Sequence, residues 1–165
     1  MKKLVLILLL CMMLSTLFAG CGKQPVVQEP ASQNVMIANP WSDWESIEEA
    51  EQAVGFSFGL PALLADTYEA AVFRTMNNEL LEVVYRDGDF EVCVRKQAGE
   101  GQDISGDYTQ YETSSETQSD GAAVTLYCNS DGAAVKQLIS CKGYSWSLVA
   151  SNELSEAFAS AILAQ

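Results

Sequence analysis

The 165-residue sequence contains no histidine. Histidine is the side chain that most often serves as a general base near neutral pH and as a metal ligand. Its absence excludes Ser-His-Asp and Cys-His catalysis and every zinc site that includes histidine. Chemistry that uses carboxylates, such as glycoside hydrolysis by two opposed acidic side chains, does not need histidine and is left open.

Basic residues are scarce, with 9 lysines and arginines against 22 acidic residues and a formal net charge of −13. Because Lys2 and Lys3 stand at the N-terminus, the chain from residue 21 onward carries 7 basic and 22 acidic residues. A chain of this charge repels the phosphates of nucleic acid and of anionic lipid, so we expect no electrostatic docking on either. Solubility and a hydrated surface are the simpler interpretation of the same acidity.

An uncharged apolar run, Leu4–Leu17, follows the two lysines, and Phe18-Ala19-Gly20-Cys21 comes directly after it. A charged start, an apolar stretch and small residues, in this order, are typical of a secretory signal. The quartet resembles the lipobox of bacterial lipoproteins, with Phe18 where leucine is usual. In those proteins the cysteine receives a diacylglyceryl group and the chain is cut before it.

The resemblance implies a signal peptide over residues 1–20 and a lipidated Cys21 that anchors the protein at the extracytoplasmic face of the cell membrane. An uncleaved transmembrane helix over residues 4–20 is the alternative, but this stretch is at the short end of what spans a bilayer. Residues 22–38 contain two prolines and no periodic pattern, which is typical of a flexible tether. Residues 39–165 then suffice for one domain.

Two local patterns in this domain indicate defined elements. Ser46-Ile47-Glu48-Glu49 forms a capping box, which predicts a short helix that ends near Gly55. Asp87-Gly88 between Leu80–Arg86 and Asp89–Lys96 predicts a type I′ hairpin. This turn sets Tyr85 opposite Phe90, and one face of the hairpin is apolar while the other, which carries Glu82, is largely polar.

Period-two alternation predicts further strands at Tyr68–Met76, Ala122–Cys128, Ala134–Ser140 and Tyr144–Ala150. Residues 98–121 are rich in glycine, serine, threonine and acids, and predict a long loop with at most a short strand at Tyr108–Thr113. A last helix is expected from about Ser155. We therefore expect an α+β single domain, an antiparallel meander sheet of five to six strands with an N-terminal and a C-terminal helix packed on one face.

Acidic residues in the long loop are the candidates for a metal site. Glu100, Asp103, Asp107 and Glu112 can supply the oxygens that calcium prefers, although their spacing fits no EF-hand. The alternative is that Asp103 and Asp107 form turns around Gly106.

Three other groups of residues have a functional and a plainer interpretation. Aromatic platforms are conceivable for Trp41 with Trp44 and for Tyr144 with Trp146, but packing between helix and sheet explains such residues more simply. Arg95-Lys96 can receive an anion or merely protect the edge of a sheet.

Three cysteines remain once Cys21 is lipidated, and they cannot all pair with one another. A tight turn at Asp131-Gly132 would leave Cys128 and Cys141 about 20 Å apart along their strands, beyond the ~7 Å limit for a disulfide. Cys93 can reach Cys128 only if their strands are neighbours. Packing of unpaired thiols is the favoured interpretation.

Several short motifs resemble a family of domains of unknown function found in Gram-positive lipoproteins and in anti-sigma-factor-like membrane proteins. The motifs are Asn39-Pro40, Ser46–Glu51, Gly55-Phe56, Leu60-Pro61, Leu81–Tyr85, Val94–Lys96, Asp103–Tyr108 and Tyr144–Leu148. The chain departs from the family at Val135–Ser140, which lacks the usual Ala-x-Trp. The resemblance implies an extracytoplasmic domain and carries no catalytic residues.

These features together predict a membrane-anchored lipoprotein that acts as a non-enzymatic binding or sensing module, without cofactor or resident metal. An envelope protein or an unidentified ligand is the expected partner, besides the membrane that holds the lipid. A carboxylate-based envelope hydrolase and a structural envelope component are the alternatives.

Lipidation at Cys21 is directly testable in cells. Because the thiol is the acyl acceptor, Cys21→Ala is expected to abolish metabolic labelling by palmitate and to leave the precursor uncleaved. Cys128→Ala, which keeps the lipobox, serves as the matched control and should label normally. Unchanged labelling of the Cys21 variant would refute lipidation.

Overall fold

The computed structural model describes residues 39–59, 68–119, 121–154 and 156–164. The predicted signal peptide, Cys21 and the tether lie outside the described residues, and no helix within those ranges is long and apolar enough to cross a membrane. In chain order the elements are β1 (Trp41–Trp44), α1 (Ile47–Val54), β2 (Glu69–Met76), β3 (Leu80–Asp87), β4 (Phe90–Ala98), β5 (Thr113–Ser119), β6 (Ala122–Cys128), β7 (Ala134–Cys141), β8 (Tyr144–Ala150) and α2 (Glu156–Leu163).

All eight strands belong to one antiparallel sheet in the order β1-β2-β3-β4-β8-β7-β6-β5. The first four strands form one meander and the last four another, and the two meet where β4 pairs with β8. After β4 the chain must therefore pass four strand positions, about 19 Å, to begin β5 at the far edge. Residues 99–112 make this passage and are called the crossover loop below.

The predicted fold class is wrong. The structure is a β-rich fold, one sheet of eight strands with two helices of only eight residues each, rather than an α+β meander of five to six strands. The prediction missed β1, which has only four residues, and β5, whose sequence TSSETQS is polar throughout. Apolar alternation marks a strand with one buried face, and β5 has none because its side chains at residues 113–118 are exposed. The short strand predicted at Tyr108–Thr113 is also wrong, because all of its residues except Thr113, the first residue of β5, lie in the crossover loop.

The hairpin of β3 and β4 is confirmed with a corrected turn. Asp87 pairs with Phe90, so Gly88-Asp89 forms the turn and Tyr85 lies opposite Val92 rather than Phe90. Gly88 has φ of +57° at the first turn position, while Asp89 at the second has no positive φ, which suits a type II′ turn instead of type I′. Because the register differs by two residues, every side chain keeps its predicted face.

The apolar face of the sheet, called the core face, carries the hydrophobic core. Leu81, Val83, Tyr85, Val92 and Val94 are all fully buried there. The elements that cover them contribute Ala50 from α1, Phe58 from the segment after it, and Phe158 and Ile162 from α2.

One half of the predicted capping box of α1 is present. Ser46 Oγ accepts a hydrogen bond of 3.3 Å from the Glu49 amide, but the Glu49 carboxylate accepts from the Glu45 amide, at 3.2 Å, rather than from that of Ser46. Gly55 ends the helix with φ of +79°. All eight residues between Ser46 and Gly55 are therefore helical, and the two capping residues define the length of the helix.

Cys93, Cys128 and Cys141 are unpaired. The strands that carry Cys93 and Cys128 are separated by β8 and β7, so the two residues lie about three strand spacings, or ~14 Å, apart. This exceeds the ~7 Å limit between the Cα atoms of a disulfide, so the bridge left open by the sequence does not form within one chain. The predicted register around Cys128 is off by one residue, since a bulge places it opposite Ala134.

Candidate functional site

The crossover loop lies across the face of the sheet opposite the core, called the loop face. The backbone amides of its first residues donate hydrogen bonds to the sheet. The Gly99 amide donates to the Gly143 carbonyl at 2.8 Å, the Gly101 amide to Ser140 Oγ at 2.8 Å, and the Gln102 amide to Ser145 Oγ at 3.0 Å. Polar serines on β7 and β8 thus attach the start of the loop to the sheet.

Arg95 of β4 holds the middle of the loop. Its Nη1 donates to the carbonyls of Ile104, at 3.1 Å, and of Ser105. Gly106 follows with φ of +62°, and a Cβ at this position would collide with the Arg95 guanidinium. Glycine is therefore required here both by the backbone conformation and by the close approach of the arginine.

A buried carboxylate organises the same part of the loop face. Glu82 of β3 is fully buried. Arg74 Nε donates to its Oε1, and Arg95 Nε donates to its Oε2 at 2.6 Å. The Cys93 thiol adds a third hydrogen bond, to Oε2 at 2.9 Å. Two guanidiniums from β2 and β4 thus share one carboxylate from the strand between them.

The Trp41 indole completes this cluster at the start of the domain. The Arg74 guanidinium carbon lies 4.4 Å from the centre of the ring, and that of Arg95 lies 5.3 Å from it. Cation–π contacts of this kind attach the four-residue strand β1 to the charges at the centre of the sheet.

Burial alone would raise the pKa of Glu82. Hydrogen bonds from Cys93, Arg74 and Arg95 outweigh burial and hold the pKa of this carboxyl below its ordinary value of 4.5. Burial, followed by the adjacent Glu82 charge, raises the pKa of Cys93. Cys93 therefore remains a neutral thiol that donates a hydrogen bond, and it lacks the thiolate character of a catalytic cysteine.

Lys136 of β7 is the second buried cation that fixes the loop. Its Nζ lies 2.9 Å from Asp103 Oδ2 and 3.2 Å from the Asp107 carbonyl, and the residue is 3% exposed. Tyr127 provides an aromatic face 5.0 Å from the same ammonium. The Tyr127 ring also packs against Tyr111, whose hydroxyl donates to the Asp107 carboxylate.

Three of the four candidate calcium ligands are engaged within the protein, and the fourth, Glu112, is exposed. Glu100 accepts from the Gly143 amide at 2.7 Å. Asp103 accepts from the Ser105 amide and hydroxyl, and Asp107 accepts from the Thr109 amide and hydroxyl. Among the described residues no group of three metal-ligating side chains converges. The arrangement favours the turn interpretation of Asp103 and Asp107.

A groove lies between the crossover loop and β5 on the loop face. It consists of two adjoining depressions of about 190 and 340 Å³ that share Ala123 and Thr125 of β6. Leu138 of β7 extends this floor. One wall is Gly101–Asp103 of the loop, and the other is Glu116–Gln118 of β5. We call it the acidic groove, because carboxylates stand on both of its walls.

The basic residues do little to offset the negative surface. Arg74 and Arg95 share Glu82, Lys136 pairs with Asp103, and Arg86 pairs with Glu91 at 2.8 Å. Of the basic residues in the described ranges, Lys142 alone is exposed without a carboxylate or carbonyl partner. The groove therefore lies in a strongly negative field.

Arg95 and Lys96 have separate structural roles. They lie on a central strand, so protection of a sheet edge is the wrong interpretation. Lys96 points to the core face, where its Nζ donates to the Ser57 carbonyl at 2.6 Å. Tyr144 and Trp146 lie 4.3 and 4.5 Å from this ammonium, so they enclose a buried lysine rather than form a platform for a ligand.

Trp41 and Trp44 do not form a common platform either. They lie on opposite faces, and Trp44 Nε1 donates to Thr75 Oγ1 at 3.0 Å on the core side. Sequence reasoning missed Arg74, Glu82 and Lys136. The available signal was a charged residue within a strand that is otherwise apolar, as in Leu80–Tyr85.

Comparisons with protein-family models, curated proteins and solved structures find no match to this chain. The family resemblance of the sequence therefore stays a prediction, and the site is interpreted from its own geometry.

The buried charge cluster predicts a large effect of Glu82→Gln. This variant keeps the shape of the side chain but leaves two guanidiniums without their shared charge, so the free energy of unfolding should fall by about 3–5 kcal/mol. Glu91→Gln is the matched control, because it breaks the exposed pair with Arg86 and should cost less than about 1 kcal/mol. Urea unfolding at neutral pH measures both.

The pH dependence gives a second measurement on the same variant. A carboxyl whose pKa is lowered on folding stabilises the folded state above its ordinary pKa, and this contribution is lost as the pH falls through the folded pKa. For Glu82 the loss begins near pH 4.5 and continues below it. The Gln variant should therefore lose less stability than the wild type on acidification, and equal losses would contradict the assignment.

Proposed function

We propose that this chain is a membrane-anchored extracytoplasmic lipoprotein whose domain is a non-enzymatic binding or sensing module. The observation that carries the proposal is the acidic groove, whose loop wall is held by the buried Lys136 and whose neighbouring loop residues are held by Arg95. Small-molecule sites are typically pre-formed clefts with an apolar floor and a few placed polar groups. The floor of Ala123, Thr125 and Leu138 with carboxylates at the walls has this character.

The charge of the groove suggests its ligand class. Glu116 and Asp103 stand on opposite walls, and Gln102 and Gln118 add neutral hydrogen-bonding groups. A small polar molecule with a positive charge complements this lining, whereas an anion would be repelled by the field of the whole domain.

Carboxyl chemistry supports binding over hydrolysis. A carboxylate hydrolase needs one acid with a raised pKa in its cleft. Hydrogen bonds from Ser105 and Lys136 overcome burial and lower the pKa of Asp103, and those from Thr109 and Tyr111 do the same for Asp107. The pKa of Glu82 is likewise lowered, and its carboxylate accepts hydrogen bonds from two arginines. These three groups are stable anions and poor proton donors.

The distance to the membrane also fits a tethered module. If Cys21 carries the lipid, residues 22–38 would separate it from the first described residue, Asn39. A flexible segment of this length spans about 20–25 Å on average. The domain would then sample ligands close to the outer surface of the bilayer.

The groove is testable with small organic cations. In the isotopically labelled, detergent-solubilised chain, millimolar concentrations of a four-carbon diamine should shift the amide resonances of Gly101–Asp103, Ala123 and Thr125. A four-carbon dicarboxylate should leave them unchanged, because it carries the opposite charge.

Thr125→Trp fills the floor and should remove the shifts caused by the diamine. Gln52→Trp, on the exposed side of α1, adds the same side chain elsewhere and should preserve them. The groove would be rejected as the ligand site if the diamine shifted no groove resonance, or if its shifts survived in the Thr125 variant.

A further inference from the structure

The strand β5 has an open edge. It is last in the sheet order, and it pairs with β6 in unbroken register from Thr113 opposite Cys128 to Ser119 opposite Ala122. No strand within the described ranges lies on its other side. Alternate amides and carbonyls of β5 therefore face outward without a strand partner.

This edge also lacks the usual protection against strand addition. Protein edges are commonly shortened, bulged, or marked with proline or lysine. The seven residues of β5 contain neither proline nor lysine, and their pairing with β6 shows no bulge. The opposite edge differs, because β1 has four residues, follows Pro40, and is attached through Trp41 to Arg74.

A second copy of this chain is a poor occupant of the edge. Residues 39–165 contain 6 basic and 21 acidic residues, so two domains repel each other. In an antiparallel pair of β5 strands centred on the same residue, Glu116 would also lie opposite Glu116 of the copy, and like charges in that position destabilise a sheet.

We propose that the β5 edge receives an extended basic polypeptide segment, which adds to the sheet as a ninth strand. Main-chain hydrogen bonds would supply affinity, and side chains in alternate positions would supply specificity, as in other cases of strand addition. Threonine and serine on β5 accommodate β-branched neighbours. Glu116, the central residue, selects a lysine or arginine opposite it.

This inference goes beyond the acidic groove, because it concerns a polypeptide at the edge of the sheet rather than a small molecule on its loop face. Glu116 lies at the wall of the groove and on the edge strand, so the two sites need separate tests. Leu138→Trp provides the separation, since it fills the part of the groove beside the crossover loop from β7, two strands away from β5.

The probe is a synthetic nine-residue peptide of alternating threonine and valine with a central lysine and both ends capped. On binding to the detergent-solubilised full chain, it should shift β5 amide resonances and slow the hydrogen exchange of outward-facing β5 amides. The same peptide with alternate amides N-methylated cannot form the ladder and should not bind.

Glu116→Lys should weaken binding of the peptide by about tenfold, because the central lysine of the peptide would then face a positive instead of a negative charge. Glu79→Lys makes the same change of charge in the turn between β2 and β3, about 24 Å away across the sheet, and should alter affinity less than about twofold. Both side chains are exposed, so thermal unfolding should be unchanged in either variant. Leu138→Trp should bind the peptide normally.

The proposal is overturned if the N-methylated peptide binds equally well, or if both lysine variants weaken binding to the same extent. Loss of peptide binding in the Leu138 variant would assign the peptide to the groove. Sedimentation that shows dimers, together with β5 amides protected in the absence of peptide, would make the second copy the occupant.

Discussion

The shared carboxylate of Glu82 is the interaction on which the loop face depends. A fully buried charge is tolerated only when it is paired and hydrogen-bonded. Here Arg74 and Arg95 form ion pairs with the carboxylate, and Cys93 donates a further hydrogen bond to it. Because the donors come from β2 and β4, one carboxylate fastens three adjacent strands. Arg95 then extends the same network to the crossover loop, and Trp41 brings the first strand to it.

The crossover loop follows from the topology of the sheet. The second meander begins at the far edge and works back to β4, so the connection must cross the sheet instead of turning tightly. Polar groups along its path receive partners from the sheet beneath, including Ser140, Ser145 and Lys136. The acidic groove is what remains between this fixed loop and the exposed strand β5.

Local patterns in the sequence predicted local structure well. The alternation in Ala122–Cys128 and Tyr144–Ala150 gave both strands their observed bounds, and the capping box at Ser46 located α1. The patterns failed where burial does not alternate, as in the wholly polar β5. They also placed the Gly88 turn one residue early, because both Asp-Gly and Gly-Asp are favourable hairpin pairs.

The strand order and the site depend on contacts between distant residues, which no local pattern encodes. The alternation along the hairpin predicts that Glu82 lies on its polar face. The contact of Glu82 with Arg74 cannot be predicted without knowing that β2 pairs with β3. The alternation also predicts that Lys136 lies in a strand. Its ion pair with Asp103 exists only because the crossover loop passes over β7. The acidic groove cannot be predicted from the sequence, because its two walls come together only when the crossover loop passes over the sheet.

Hydrogen exchange of the crossover loop tests the central claim most directly, namely that buried cations and sheet serines hold this loop against the sheet. The amides of Gly101, Gln102 and Ser105 donate to Ser140, Ser145 and Asp103. They should exchange much more slowly than in an unstructured peptide of the same sequence, with protection approaching that of the neighbouring strand β8. Exchange of these three amides at the unstructured rate, in a protein whose β8 amides remain protected, would contradict the account.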